Sequence, residues 1–119
     1  MIQNRNALLD HGNVEARTAL ADIAEAAMER VHPDRIVPET VRLEGPRLHV
    51  AEETYDLDSV GDIYVFGAGK GSLAHVSALL EVLDGRDSRA IAVEKRGQGE
   101  EQPGIEVFES GHPLPDEVG

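Results

Sequence analysis

The sequence predicts an α/β fold built on a parallel sheet, and three observations in its second half carry that prediction. Ile63-Tyr64-Val65-Phe66 is a continuous apolar run, as expected of a strand buried on both faces, and it feeds directly into Gly67-Ala68-Gly69-Lys70-Gly71. Leu73, Val76, Leu80 and Leu83 then recur at helical spacing, with Leu79 beside them. Ala90 to Val93 is a second short apolar strand. Strand, helix, strand within about thirty residues is a βαβ unit, for which a right-handed crossover is expected.

Along the chain, the spacing of Ala16, Leu20, Ile23, Ala24, Ala27 and Val31 predicts an amphipathic helix over 13–31 with those residues on its buried face. Asn13 serves as N-cap, Glu15 and Arg30 complement the helix dipole, and Pro33 pushes His32 out of helical geometry. Val41 to Val50 alternates on both sides of Glu44-Gly45-Pro46-Arg47, the pattern of a hairpin. Asp84-Gly85 ends the helix of the βαβ unit with a glycine suited to the left-handed C′ position. Ile105 to Glu109 alternates apolar and acidic residues and reads as a third strand with one exposed face. Only Glu94 to Gly104 separates it from the second, which is short for a parallel crossover without a helix. Its direction is therefore open, and an antiparallel third strand would carry His112 to the opposite edge.

The chain has 119 residues, enough for one domain that hides roughly two-thirds of its unfolded surface. With 23 acids against 11 bases the net charge is −12, which disfavours nucleic acid and anionic membranes as partners. There is no cysteine, hence no disulfide, thiolate metal site or Cys nucleophile. The longest apolar run, Ile63 to Gly69, is too short to span a bilayer, and Met1 to Asp10 has no apolar h-region, so a cytoplasmic protein is expected. The bases are nine Arg and only two Lys, a balance that resembles the acid-rich surface of halophile proteins.

Both lysines follow strands. In a parallel sheet the loops after the strands share one edge, where α/β proteins bind ligands. Gly67 to Gly71, Lys95 to Gly99 and Ser110 to Asp116 are those loops, and Lys70 and Lys95 fall in the first two. The first loop offers backbone N–H groups at a helix N-terminus, with Gly67 and Gly69 permitting close approach of an anion and Lys70 adding a full charge. Walker A fails, because Tyr64 and Gly71 stand where it needs Gly and Ser or Thr. Gly67, Gly69 and Ser72 come close to a dinucleotide fingerprint, with Glu94 placed to hold a ribose hydroxyl, so an oxidoreductase domain stays open. Gly111-His112-Pro113-Leu114-Pro115-Asp116 is a stiffened turn presenting an imidazole and a carboxylate. His11, His32, His49 and His75 show no metal-ligand spacing.

Taken in order, Asp56-Leu57, Ile63 to Lys70, Lys95-Arg96-Gly97-Gln98-Gly99 and Ser110 to Asp116 resemble the N-terminal domain of MOFRL-type glycerate 2-kinases, some of which are labelled hydroxypyruvate reductases. The resemblance implies a Rossmann-like, three-layer parallel-sheet domain, incomplete here, in an ATP-dependent kinase acting on the 2-hydroxyl of D-glycerate. It implies Lys70 as the catalytic lysine, and Gly67, Gly69, Lys95, His112 and Asp116 as substrate-binding residues. Mg²⁺ comes with the ATP chemistry, without identifiable ligands. Gln98 departs from the family's frequent histidine and Gly71 from its usual alanine. Family members are several times longer, so residues 1–119 are expected to be a truncated N-terminal piece, inactive alone. Its expected partners are a hydroxyacid, a nucleotide and either a separate C-terminal chain or itself. A noncatalytic partner subunit is the remaining alternative.

Overall fold

The computed structural model describes residues 2–118. The chain divides into two compact units, Met1–Ile36 and Val37–Gly119. In the first, helix α1 (Arg5–Leu9) precedes α2 (Val14–Arg30), and Asn13 caps α2 by accepting from the Ala16 N–H at 3.1 Å. Arg5 bridges back to Asp22 and Glu25 of α2. The predicted helix is thus present, but its predicted buried face is not. Arg17, Thr18, Ala21 and Glu25 are the protected side, while Leu20, Ile23 and Val31 are exposed. The side of α2 that carries the Arg5 pairs is not the side with the apolar stripe.

Helix α3 (Pro33–Thr40) follows, with Pro33 at the first position, where a missing N–H costs nothing. Strands β1 (Val41–Glu44), β2 (Arg47–Val50) and β3 (Glu53–Asp56) form an antiparallel ribbon in the order β1-β2-β3, one strand more than the expected hairpin. A 3₁₀ turn (Leu57–Ser59) then drops Leu57 into the core.

The second sheet comprises β4 (Ile63–Ala68), β5 (Ser88–Lys95) and β6 (Ile105–Ser110), ordered β4-β5-β6 and parallel throughout. The direction of the third strand is thereby settled. Returning along six residues of strand requires about 20 Å, and residues 96–104 in extended form reach about 30 Å, so no helix is needed. Helix α4 (Ser72–Leu83) packs on one face of this sheet. Leu73, Val76 and Leu83 meet Val65, Ala90 and Ala92, and Leu43 and Leu48 of the ribbon pack against the same cluster. Asp84 and Gly85 both take positive φ at the helix end.

The layers are therefore sheet, helix and ribbon, with α4 between two sheets. On the opposite face of the parallel sheet, Phe66 is 69% and Tyr64 64% exposed, and Phe108 is also exposed. Arg89 lies over the Tyr64 ring at 5.9 Å.

Candidate functional site

Because β4, β5 and β6 are parallel, their following loops open on one edge, and each loop is held there by a carboxylate. The first is held by Glu94, which lies in phase with Ala90 and Ala92 on the α4 side of β5 and is only 4% exposed. Its Oε1 accepts from the Leu73 N–H (2.6 Å) and Ser72 Oγ (3.1 Å), and Oε2 from the Gly71 N–H (3.3 Å). The Gly69 N–H donates to the Val93 carbonyl at 2.9 Å.

This arrangement overturns two expectations. The α4 N-terminus does not stand open to an external anion, because a protein carboxylate already takes its donors and complements its dipole. Glu94 does not hold a ribose either, being buried and committed to three donors at the N-cap and first turn of α4. The dinucleotide reading loses both its pyrophosphate seat and its ribose ligand.

Glu109 performs the corresponding task for the second loop. Its Oε1 accepts from the N–H groups of Gly97 (3.0 Å) and Gly99 (2.8 Å), which hold the carboxyl below the usual range, Gly99 contributing most. Asp116 closes the third. It accepts from the Val118 N–H (3.1 Å), Arg96 Nη2 (2.5 Å), Ser110 Oγ (3.1 Å) and the Gly111 N–H (2.9 Å). The Val118 N–H foremost, and then Arg96, lower its pKa to about 2. The His112–Pro113 peptide within this turn is cis. Gly111 is required by close approach, since a Cβ there would lie 2.7 Å from the Leu114 carbonyl oxygen.

What the carboxylates leave free is a cleft of about 220 Å³. Phe66, Ala68, Gly69 and Lys70 line it from the end of β4 and the first loop, Val93, Glu94 and Lys95 from the end of β5, and Ser110, Gly111, His112, Pro113 and Pro115 from the end of β6 and the third loop. Lys70, Lys95 and His112 are thus brought together. Among the described residues their side chains have no hydrogen-bond or ion-pair partner. Arg5, Arg35, Arg86 and Arg96 are paired with carboxylates, whereas among the described residues the Arg42 and Arg47 side chains are as free as the two lysines. In a chain with 23 acids, two unpaired lysines beside an unpaired imidazole make a local positive site.

Two expected substrate residues lie outside the cleft lining. Gly67 sits under α4, where a Cβ would meet Val76 Cγ2 at 2.6 Å, so its smallness serves packing. Asp116 is occupied by the turn it closes. Gln98 borders a second hollow, of about 540 Å³, that shares Lys70 and includes Glu100 and Gln102. Sequence reasoning missed Glu94 and Glu109 as loop anchors, although each falls in phase with its strand's inward residues, a position that requires a buried partner. Among the described residues, no group of three His, Asp or Glu side chains could hold a metal ion. No helix among them is long and apolar enough to cross a membrane.

The Asp116 carboxyl gives a pH prediction. Its folded pKa of about 2 lies below the ordinary 3.8, so its contribution is complete above about pH 4 and is lost as pH falls through 2. The Gly111 amide resonance of the folded chain therefore titrates with a midpoint near pH 2, between about pH 3 and 1, and Asp116→Asn removes that titration. A Gly111 signal that is flat in the wild-type chain over this range would contradict the assignment.

Fold and site together define an α/β domain with a small cleft at the carboxyl edge of a parallel sheet, bordered by unpaired cationic groups. The model of the family described as a domain of unknown function, DUF4147, matches residues 19–119, and the chain belongs to this family, the N-terminal domain of glycerate 2-kinases. It is 33% identical over 91 residues to a glycerate 2-kinase of Pyrococcus horikoshii, covering 76% of this chain and 20% of that one. It is likewise 33% identical over 97 residues to a D-glycerate 2-kinase of Thermotoga maritima, covering 81% and 20%. A crystal structure of a Pyrococcus horikoshii protein matches with a TM-score of 0.67 at 30% identity, over 86% of this chain and 22% of that one. The crystal structure of a Thermotoga maritima glycerate kinase matches with 0.60 at 31% identity, over 87% and 22%. The chain thus spans about a fifth of the length of these relatives.

Proposed function

We propose that this domain provides the hydroxyacid-binding part of an ATP-dependent glycerate 2-kinase. The observation that carries the reading is the division of labour at the sheet edge: Glu94, Glu109 and Asp116 face backbone donors, while Lys70, Lys95 and His112 stay unpaired around one cleft. The cleft, at about 220 Å³, is smaller than the roughly 300–1,000 Å³ of drug-sized sites and suits a three-carbon acid. In this reading the D-glycerate carboxylate bridges Lys70 and Lys95, with His112 beside it. Lys70 also stabilises charge on the phosphoryl group as the 2-hydroxyl oxygen bonds to phosphorus, the bond to the ADP oxygen breaks and the hydroxyl proton passes to solvent. Such transfer depends mostly on positioning and electrostatics.

The nucleotide does not fit at the α4 N-terminus, where Glu94 already takes the donors, and we place its binding on the part of the family polypeptide outside this chain. The described residues offer Mg²⁺ no cluster of three His, Asp or Glu ligands. This chain alone is accordingly inactive, and it works in the cytoplasm on a soluble metabolite. D-glycerate should raise its melting temperature, whereas NAD(H) should not. The reverse pattern would favour the oxidoreductase alternative, a response to neither ligand would favour the noncatalytic subunit, and turnover of ATP and glycerate by this chain alone would refute its inactivity.

The uncovered face of the parallel sheet belongs to the same proposal. Parallel sheets are normally covered on both faces. We assign the cover over Tyr64, Phe66 and Phe108 to the remaining length of the family polypeptide, since the matched part is about a fifth of the relatives. Without that cover this chain self-associates. In sedimentation Phe66→Asp should weaken association by about tenfold or more, as loss of an aromatic anchor does. A monodisperse wild-type monomer would count against this assignment.

A further inference from the structure

We propose that Glu94 is a positioning residue that sets the relation of Lys70 to Lys95. The inference rests on the reading of the cleft as an anion site. Glu94 and Lys95 are consecutive on β5, so their side chains leave opposite faces of the sheet. Both residues border the cleft at this strand end, and the Glu94 carboxylate reaches beneath α4 to the loop that carries Lys70. Lys70 lies between two anchored glycines. The Gly69 N–H is held by the Val93 carbonyl at 2.9 Å and the Gly71 N–H by Glu94 at 3.3 Å. Ser72 Oγ adds one further tie to the same strand end, its single O–H shared between the Val93 carbonyl (3.2 Å) and Glu94 (3.1 Å). The loop bearing one lysine is therefore fastened to the strand end bearing the other, and the buried carboxylate makes most of the side-chain part of that joint.

A carboxylate is needed because all three of its partners are donors. Glutamine has the same shape, but in either orientation its NH₂ group faces one backbone N–H and only one acceptor oxygen remains. Glu94→Gln should therefore free the Lys70 loop without removing volume from the core.

The test is a titration of D-glycerate, and separately of inorganic phosphate, into this chain followed by NMR. It compares wild type, Lys70→Met, Lys95→Met and the double variant, each with Glu94 intact and again combined with Glu94→Gln. In the wild-type background the two lysine substitutions should be strongly non-additive, because one anion bridges both groups. In the Glu94→Gln background affinity should fall by about tenfold or more, and the two effects should become independent. A merely structural role would lower the melting temperature without abolishing that coupling. Unchanged affinity and coupling in Glu94→Gln, with both lysines still mattering in the wild type, would overturn the proposal alone. No effect of either lysine in the wild type would overturn the anion-site reading itself. Should Glu94→Gln fail to fold, Ser72→Ala removes one of the three donors, and a several-fold loss of affinity with reduced coupling is expected. Wild-type behaviour of that variant would again overturn the proposal.

Discussion

Lys70→Met is expected to weaken D-glycerate binding by about 10–100-fold while the melting temperature changes by no more than about 4 °C. A hydrogen bond to a charged group contributes roughly 1.5–3 kcal/mol, and each 1.4 kcal/mol is tenfold in affinity. The Lys70 side chain makes no hydrogen bond or ion pair among the described residues, so its loss deprives the fold of nothing. Exposed substitutions of this kind usually stay within about 0.5 kcal/mol, which in a domain of this size is a few degrees. Where the domain is completed by the remaining family polypeptide and turns over, the same substitution should lower kcat/KM by about 10²–10³, the cost of one preorganised charge. The net charge of −12 sharpens the test, because the chain as a whole repels an anionic substrate that this local site is proposed to attract. Equal affinity in Lys70→Met and wild type would remove Lys70 from the site. Lys95→Met should act in the same direction, and an effect of either substitution on stability alone would point to a structural role.

The parts of this architecture legible in the sequence are those fixed by short-range pattern. The run Ile63 to Phe66, the stripe from Leu73 to Leu83 and the apolar Ala90 to Val93 each reproduce an observed element, and parallel pairing then places Lys70, Lys95 and His112 at one edge. Helices α1 and α3 escaped because five and eight residues show too little periodicity, and α3 carries Pro38 internally. Strand β3 escaped because all four of its residues are exposed, leaving no buried alternation to detect. The stripe on α2 misled for a different reason: a periodic apolar face shows that a helix forms, not that this chain covers it. Glu94 was harder still. Its position at the end of a strand fits a ligand-binding acid as well as a buried anchor, and the three donors converging on it distinguish the two. The glycine loop was misread for the same reason, since a helix N-terminus invites an anion and nothing local to Gly67–Gly71 tells that Glu94, more than twenty residues on, supplies one.

Gly67→Ala should destabilise the chain by about 1–3 kcal/mol, the usual cost of overpacking a filled interior. The added Cβ would stand 2.6 Å from Val76 Cγ2, 3.1 Å from Ser72 Cβ and 3.3 Å from the Ser72 carbonyl oxygen. Val76 cannot rotate away, because a β-branched side chain in a helix has essentially one rotamer and this one is buried. Nor can the strand recede, since Gly67 is paired with Ala92, which is fully buried. Helix α4 must therefore lift, and lifting it draws Ser72 and Leu73 away from Glu94, so the loss reaches the loop that carries Lys70. At about 4–8 °C per kcal/mol for a domain near this size, the melting temperature should fall by roughly 5–20 °C. Gly61→Ala is the control: no atom lies within 4 Å of where its methyl group would stand and its φ is not positive, so stability should hold or rise slightly. Val76→Ala combined with Gly67→Ala relieves the clash, and the pair should be less damaging than the sum of the two single changes. Strict additivity would mean that the glycine is not there for α4, and a neutral Gly67→Ala would reopen the question of whether its backbone approaches a ligand instead.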